Sequence, residues 1–288
     1  MNKPICLFSA IITYSSFIIT SCTQPGDAPS YLQINSFAMY TDSIAQGSNS
    51  SKYTDVWVSV DGVSQGVYQL PAQFPVLASG THKLVLHAGI MLNGIADSRV
   101  PYAVVNPFDT TIDLAAGKVT PFIPSTTYTS ITHFAQKEDF DHTGISFKAS
   151  AGMTDTTLID TLIADGFEGK CGAAYLDDSR PLFQYESVDS FPLPGSNAPC
   201  YVELNYKCSN EFSVGTIAYN DFGITSTQII TMRVTDTWKK IYVNLTPTVT
   251  AGTNAFSTHN NWKIYLYALK SNGLSTAYVY FDNIKVVY

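Results

Sequence analysis

The stretch WKIYLYAL (262–269) decides the fold. Trp262, Ile264, Leu266 and Ala268 alternate with Lys263, Tyr265 and Tyr267. A period of two with bulky apolar residues on one side and polar-tipped residues on the other is the signature of a half-buried strand. The same alternation occurs upstream in WKKIYVNL (238–245). There Ile241, Val243 and Leu245 share one face, and Lys240, Tyr242 and Asn244 the other. In YVELNYK (201–207), Val202, Leu204 and Tyr206 alternate with Tyr201, Glu203 and Asn205. Further strand-like runs are 145–149, 171–176, 214–220, 228–234 and 277–287, separated by Gly, Pro, Asn and Asp. No long stretch has a helical period. TDTTLIDTLIADG (154–166) comes nearest, and its threonines favour strand or loop. Eight short strands without a helix predict a jelly-roll sandwich over residues 138–288.

The same reasoning extends toward the N-terminus. Val56, Val58 and Val60 alternate with Trp57 and Ser59, and Asp61-Gly62 then supplies a hairpin turn. A corner at Gly80-Thr81 leads into 83–87, where Leu84 and Leu86 share a face. A first β-sandwich is expected over 31–128, and MLNGIADSRVPYAVVNPF (91–108) reads as an added hairpin within it. The prolines and threonines of 119–136 suggest a last strand and then a linker over 129–137. The fold class is all-β, with two sandwich domains.

Composition narrows the function. The net charge is −7, with 16 Lys and Arg against 23 Asp and Glu. Without a Lys/Arg run, the chain lacks the electrostatic footprint of a nucleic-acid binder. Residues 1–21 carry Lys3 and then an apolar run broken by Tyr14, Ser15 and Ser16. They are too short and too polar to span a bilayer, and read as a secretory signal peptide. Cys6 falls in that segment. Cys171, Cys200 and Cys208 leave room for one disulfide or none. Cys200 and Cys208 flank a single strand and cannot pair with each other.

Catalytic signatures are thin. Gly62-Val63-Ser64-Gln65-Gly66 has the nucleophile-elbow spacing, but no helix can follow it, and the glycines suit a hairpin. His82 and His87 are five apart in one strand and face opposite ways, and His133, His142 and His259 are scattered. No Glu-x-Asp-x-x-Glu strand offers paired carboxylates for glycoside cleavage. The outward residues Tyr242, Asn244, Lys263, Tyr265 and Tyr267 form the candidate ligand face. Tyrosine presents an apolar ring with a polar tip, which suits stacking on a sugar and bonding to its hydroxyls.

Four resemblances add to this reading. Ile19-Thr20-Ser21-Cys22 resembles the lipobox of bacterial lipoproteins. It implies removal of 1–21, acylation of Cys22, a tether over 22–30 and an address at the outer membrane. Asp-Ser/Thr-apolar strings such as Asp42-Ser43-Ile44 resemble O-glycan sites of exported Bacteroidetes proteins. Asp61, Gly62, Pro75, Gly80 and His82 are spaced as in the PEGA family of small surface domains, which implies an immunoglobulin-like or prealbumin-like sandwich without catalysis. In the second unit, Glu138-Asp139-Phe140, Phe167 to Gly172, Trp238 and Tyr280 to Ile284 resemble the galactose-binding-like jelly rolls of carbohydrate-binding modules. That resemblance implies a glycan ligand and suggests a structural calcium near Asp139 and Asp282, with no other metal or cofactor. The expected function is therefore a non-catalytic, lipid-anchored envelope protein that binds a glycan through its jelly roll. The alternatives are an adaptor lipoprotein that binds an outer-membrane protein and, behind it, a polysaccharide-active enzyme.

Overall fold

The computed structural model describes residues 28–221, 223–253 and 260–288. The signal segment, Cys22 and most of the tether lie outside the described residues, as does His259. The described chain is all-β apart from one short helix.

The first unit contains β1 (Ser30–Ile34), β2 (Ala38–Tyr40), β3 (Asp55–Val60), β4 (Val63–Gln69), β5 (Ala72–Val76), β6 (Gly80–Met91), β7 (Arg99–Pro101), β8 (Phe108–Leu114), β9 (Val119–Phe122) and β10 (Ser125–Thr127). One sheet runs β4-β3-β6-β7, with β8 also on β6, and faces the smaller β5-β1-β9 and β10-β2 sheets. Val56, Val58, Leu84 and Leu86 meet Leu32, Ile34 and Phe74 in one core. The β3–β4 turn takes left-handed backbone at Asp61 (φ 50°) and Gly62 (φ 79°), as an Asp-Gly hairpin requires. Ser64 and Gly66 therefore lie in β4 and not at a nucleophile elbow. His82 bonds back to that turn, with Nδ1 2.6 Å from Asp61 Oδ2. This contact ties the Asp-Gly turn to the Gly-x-His corner. Asn93 (φ 55°) and Gly94 (φ 67°) turn the expected hairpin between β6 and β7.

The second unit contains β11 (Phe134–Glu138), β12 (Phe147–Ala149), β13 (Leu158–Thr161), β14 (Cys171–Asp177), β15 (Leu182–Ser187), β16 (Tyr201–Cys208), β17 (Phe212–Asn220), β18 (Gly223–Met232), β19 (Thr235–Asn244), α1 (Thr246–Gly252), β20 (Asn261–Leu269) and β21 (Thr276–Val287). The front sheet runs β12-β15-β20-β17-β18 and the back sheet β13-β14-β21-β16-β19. Trp262, Ile264, Leu266 and Phe183 from the front pack on Val202, Leu204, Val243 and Phe281 from the back. The two sheets and their shared core form the jelly-roll sandwich.

The structure departs from the sequence reading in three places. Residues 134–137, expected as linker, belong to β11: β14 covers only 276–281 of β21, and β11 pairs with the remainder at 284–287. The run 182–187 is a strand, β15, that the reading left out. The helix α1 starts on Thr246 and carries Pro247 in its first turn, where the ring is tolerated. Cys171, Cys200 and Cys208 are all free and buried. The front sheet ends on β18, whose ten residues contain no charge and no proline and whose 223–226 are exposed.

Candidate functional site

The five ligand-face residues separate onto opposite sides of the sandwich. Lys263, Tyr265 and Tyr267 project from β20 on the outer face of the front sheet. Opposite them in register stand Ser213, Gly215 and Ile217 of β17 and Gln184 and Glu186 of β15. Lys263 Nζ donates to Glu186 Oε1 at 2.9 Å. Burial is the largest single effect and works against that ammonium, but the hydrogen bond to Glu186 and the charge of that carboxylate, with smaller contributions from Lys148 and Tyr219, together raise the lysine pKa. Tyr265 lies flat over Gly215, a position where any Cβ would strike its ring. Tyr265 is only 6% exposed, so its ring face is spent inside the protein. Tyr267 is half-buried at the end of this row.

Tyr242 and Asn244 belong to the back sheet, and there the expectation of an open face is corrected. The first unit covers this part of the sheet, leaving Tyr242 3% exposed. The Tyr242 ring packs on Tyr102, with centroids 4.9 Å apart. Its hydroxyl accepts the Lys52 N–H at 2.9 Å. The β6–β7 hairpin reaches across: Asn93 N–H donates to Tyr242 O, and Asn244 N–H donates to Asn93 Oδ1 at 2.8 Å. Tyr201, Tyr242 and Val287 thereby join the core of the first unit.

A buried ionic hub closes the seam. Glu203 accepts the hydroxyls of Tyr102 at 2.5 Å and Tyr128 at 2.6 Å. Lys240 Nζ lies 3.0 Å from its other oxygen, at an angle that makes no hydrogen bond. Burial alone would raise the Glu203 pKa, but Lys240, Lys285 and the two hydroxyls together hold it below its ordinary value. Burial pushes Lys285 down to about 8, against the pull of Glu203. Lys285 still donates to Ser48 O at 2.5 Å. Glu203 is thus fixed as a structural anion.

The back sheet keeps one open region beyond the seam. Tyr175 from β14, Tyr278 and Tyr280 from β21, Trp238 from β19 and Phe167 form a continuous strip of rings. Tyr278 stacks on Tyr280 at 4.5 Å. Tyr175 meets Tyr280 at 6.0 Å, Trp238 meets it at 6.5 Å, and Phe167 meets Trp238 at 5.9 Å. Trp238 Nε1–H donates to Asp165 O at 2.7 Å, which fixes the indole plane. Lys207 pairs with the Asp165 carboxylate at the rim. Tyr175 is 42% exposed and Phe167 37%. The sequence reading used Trp238 and Tyr280 only as fold markers. The missed signal was alternation in 276–281, which places Tyr278 and Tyr280 outward and Ala277, Val279 and Phe281 inward.

Asp139 and Asp282 have separate partners. Asp282 is buried at the junction where β21 passes from β14 to β11. It accepts the N–H of Glu168 at 3.1 Å and that of Asn283 at 2.7 Å. Burial raises its pKa to about 7, opposed by those two bonds and assisted by Glu168 and Asp141. Asp139 accepts the Asp141 N–H and lies 2.8 Å from His142 Nδ1. Among the described residues, no three His, Cys, Asp or Glu side chains are grouped to hold a metal.

No protein-family model and no curated protein matches the chain. Solved structures do. One is an endo-1,4-beta-D-xylanase from Clostridium thermocellum with its CBM22-1 and GH10 modules, complexed with xylohexaose. Identity is 10%, coverage 54% of this chain and 28% of that one, and the TM-score 0.38. The chain thus spans about a quarter of that protein's length. A structure of carbohydrate-binding modules from the β-sandwich superfamily matches at 14% identity, covering 81% of this chain and 84% of that one, with a TM-score of 0.34. A family 11 carbohydrate-binding module of a Clostridium thermocellum cellulase matches at 13% identity, covering 55% and 95%, with a TM-score of 0.33. These neighbours are β-sandwich carbohydrate-binding modules, alone or within an enzyme. Values this low leave the site to be read from this chain's own side chains.

Proposed function

We propose that this chain is a non-catalytic glycan-binding protein of the bacterial outer membrane, tethered by acyl groups on Cys22. The observation that carries the binding role is the open strip of Tyr175, Tyr278, Tyr280, Trp238 and Phe167. Its rings are partly exposed and held by one another, and Trp238 is also held by its bond to Asp165 O, so they offer stacking area at small entropic cost. Glycan-array screening followed by calorimetric titration tests it. Trp238→Ala is expected to weaken binding by about tenfold, or 1.4 kcal/mol. Absence of binding to any glycan removes the proposal, and recovery of one stoichiometric envelope protein by cross-linking replaces it with the adaptor role.

A second reading uses the front sheet, where Tyr267, Gln184 and the Lys263–Glu186 pair present polar atoms in one row. Tyr267→Ala decides between the faces, since only one of the two substitutions should weaken a given glycan. Calcium near Asp139 and Asp282 belongs to the same proposal. Oxygen ligands suit that ion, and a cation would relieve the repulsion on Asp282 from Glu168 and Asp141. Addition of EDTA should then lower the melting temperature; an unchanged melt removes the ion. Intact-mass analysis of the membrane-extracted protein tests the anchor, which requires Cys22 as an acylated first residue.

A further inference from the structure

The chain carries 23 acidic and 16 basic residues, yet one cavity at the seam is lined by lysines and by no carboxylate. It measures about 240 Å³, and Lys52, Thr54, Tyr206, Lys239, Lys240 and Tyr242 contribute to its wall. Lys52 comes from the segment before β3 and the other two lysines from β19, so the site exists only when the two units are docked.

The charge balance beneath the wall is also positive. Glu203 is the one anion of the buried hub, and it faces both Lys240 and Lys285. Its oxygens already take two tyrosine hydroxyls, and the Lys240 ammonium, 3% exposed, has no hydrogen-bond acceptor. Asp55, the neighbour of the wall residue Thr54, is spent on Arg99 at 3.0 Å, Trp57 and Thr54. Lys52 and Lys239 are exposed at the mouth and make no ion pair among the described residues. A surplus cation in a poorly hydrated seam, with two more at the entrance, focuses field into the cavity. The volume equals about eight waters at roughly 30 Å³ each, enough for an oxyanion group and part of a sugar ring.

We infer that this cavity binds an oxyanion: a sulfate, phosphate or carboxylate, either free or carried by an acidic saccharide. The lysines supply point charges with rotatable donors, which suits such a group without demanding one geometry. The site is independent of the aromatic strip.

Amide-NMR titration of the full chain tests the inference with sodium sulfate, sodium phosphate, a galacturonic acid trimer and a neutral galactose trimer. The three anions are expected to shift the Lys239 and Lys240 amides, and the neutral sugar to leave them unmoved. Raising NaCl should weaken the effect, since the mouth lysines are screened. Lys52→Ala with Lys239→Ala should reduce affinity at least tenfold with an unchanged melting temperature, and the double Arg variant should retain it. Tighter binding of the trimer than of the free anions assigns the site to acidic saccharides, and equal binding assigns it to free anions. Absence of any anion-dependent shift, or equal affinity in the double Ala variant, overturns the inference. Trp238→Ala should leave anion binding intact, so failure here is distinguishable from failure of the aromatic strip.

Discussion

Asp282 shows how one side chain can record its position in the stability of the whole protein. With a folded pKa of about 7 against an unfolded value near 3.9, the folded state retains a proton that the unfolded chain has released. Stability contributed by this group is therefore fully present below about pH 4 and is lost as pH rises toward 7, by at most about 1.4 kcal/mol per pH unit. In EDTA-treated protein, Asp282→Asn should flatten that slope, as read from denaturant midpoints at pH 4, 5.5 and 7. A slope equal to wild type would show that Asp282 is not the group responsible. Gly215 makes a steric counterpart. A methyl group there meets the Tyr265 ring, and overpacking costs about 1–3 kcal/mol. Gly215→Ala should lower the melting temperature, and the same substitution made in a Tyr265→Ala background should lower it less, as a double-mutant cycle would show.

At the scale of elements, alternation made the strands around 201–207, 239–245 and 262–269 legible from residue types alone. Their inner faces are the ones the core contains. The strand at 182–187 escaped because six residues that follow Pro181 and include Glu186 give too short a period. The strand at 134–138 escaped because only the vacant half of β21 makes it a strand. Alternation also found which residues point away from the core, but not what meets them. Tyr242 and Tyr265 share one local pattern, yet the hairpin at 91–99 covers the first and neighbouring strands crowd the second. That outcome depends on partners such as Asn93 and Tyr102, more than a hundred residues away from Tyr242. The hairpin can be tested as an element. Asn93→Ala removes both the left-handed preference and the bond to Asn244 N–H, and should cost about 1 kcal/mol. Hydrogen exchange should show the loss at Asn244 and leave β20 unaffected.

For the whole molecule, the seam makes the two sandwiches one cooperative body. Tyr201, Tyr242 and Val287 belong to the first unit's core although they lie in the second unit's strands, and Glu203 binds hydroxyls from the first unit. Calorimetry should give a single endotherm, and two resolved endotherms would contradict the shared core. Glu203→Gln leaves Lys240 and Lys285 without their counter-charge. Removing one member of a buried ionic set costs about 3–5 kcal/mol, so the melting temperature should fall by several degrees, with the two units still melting together.

The uncharged margin formed by β18 bears on how the protein behaves in a crowd. A β-branched rim with neither lysine nor proline, and with no further strand on it among the described residues, is a template onto which another chain can zip. Crowding many copies on one surface would raise the encounter rate of such rims, so the same strand that completes the front sheet also sets a ceiling on packing density. Thr225→Lys should raise that ceiling, read by light scattering as a higher concentration at the onset of self-association, with the monomer's melting temperature unaltered.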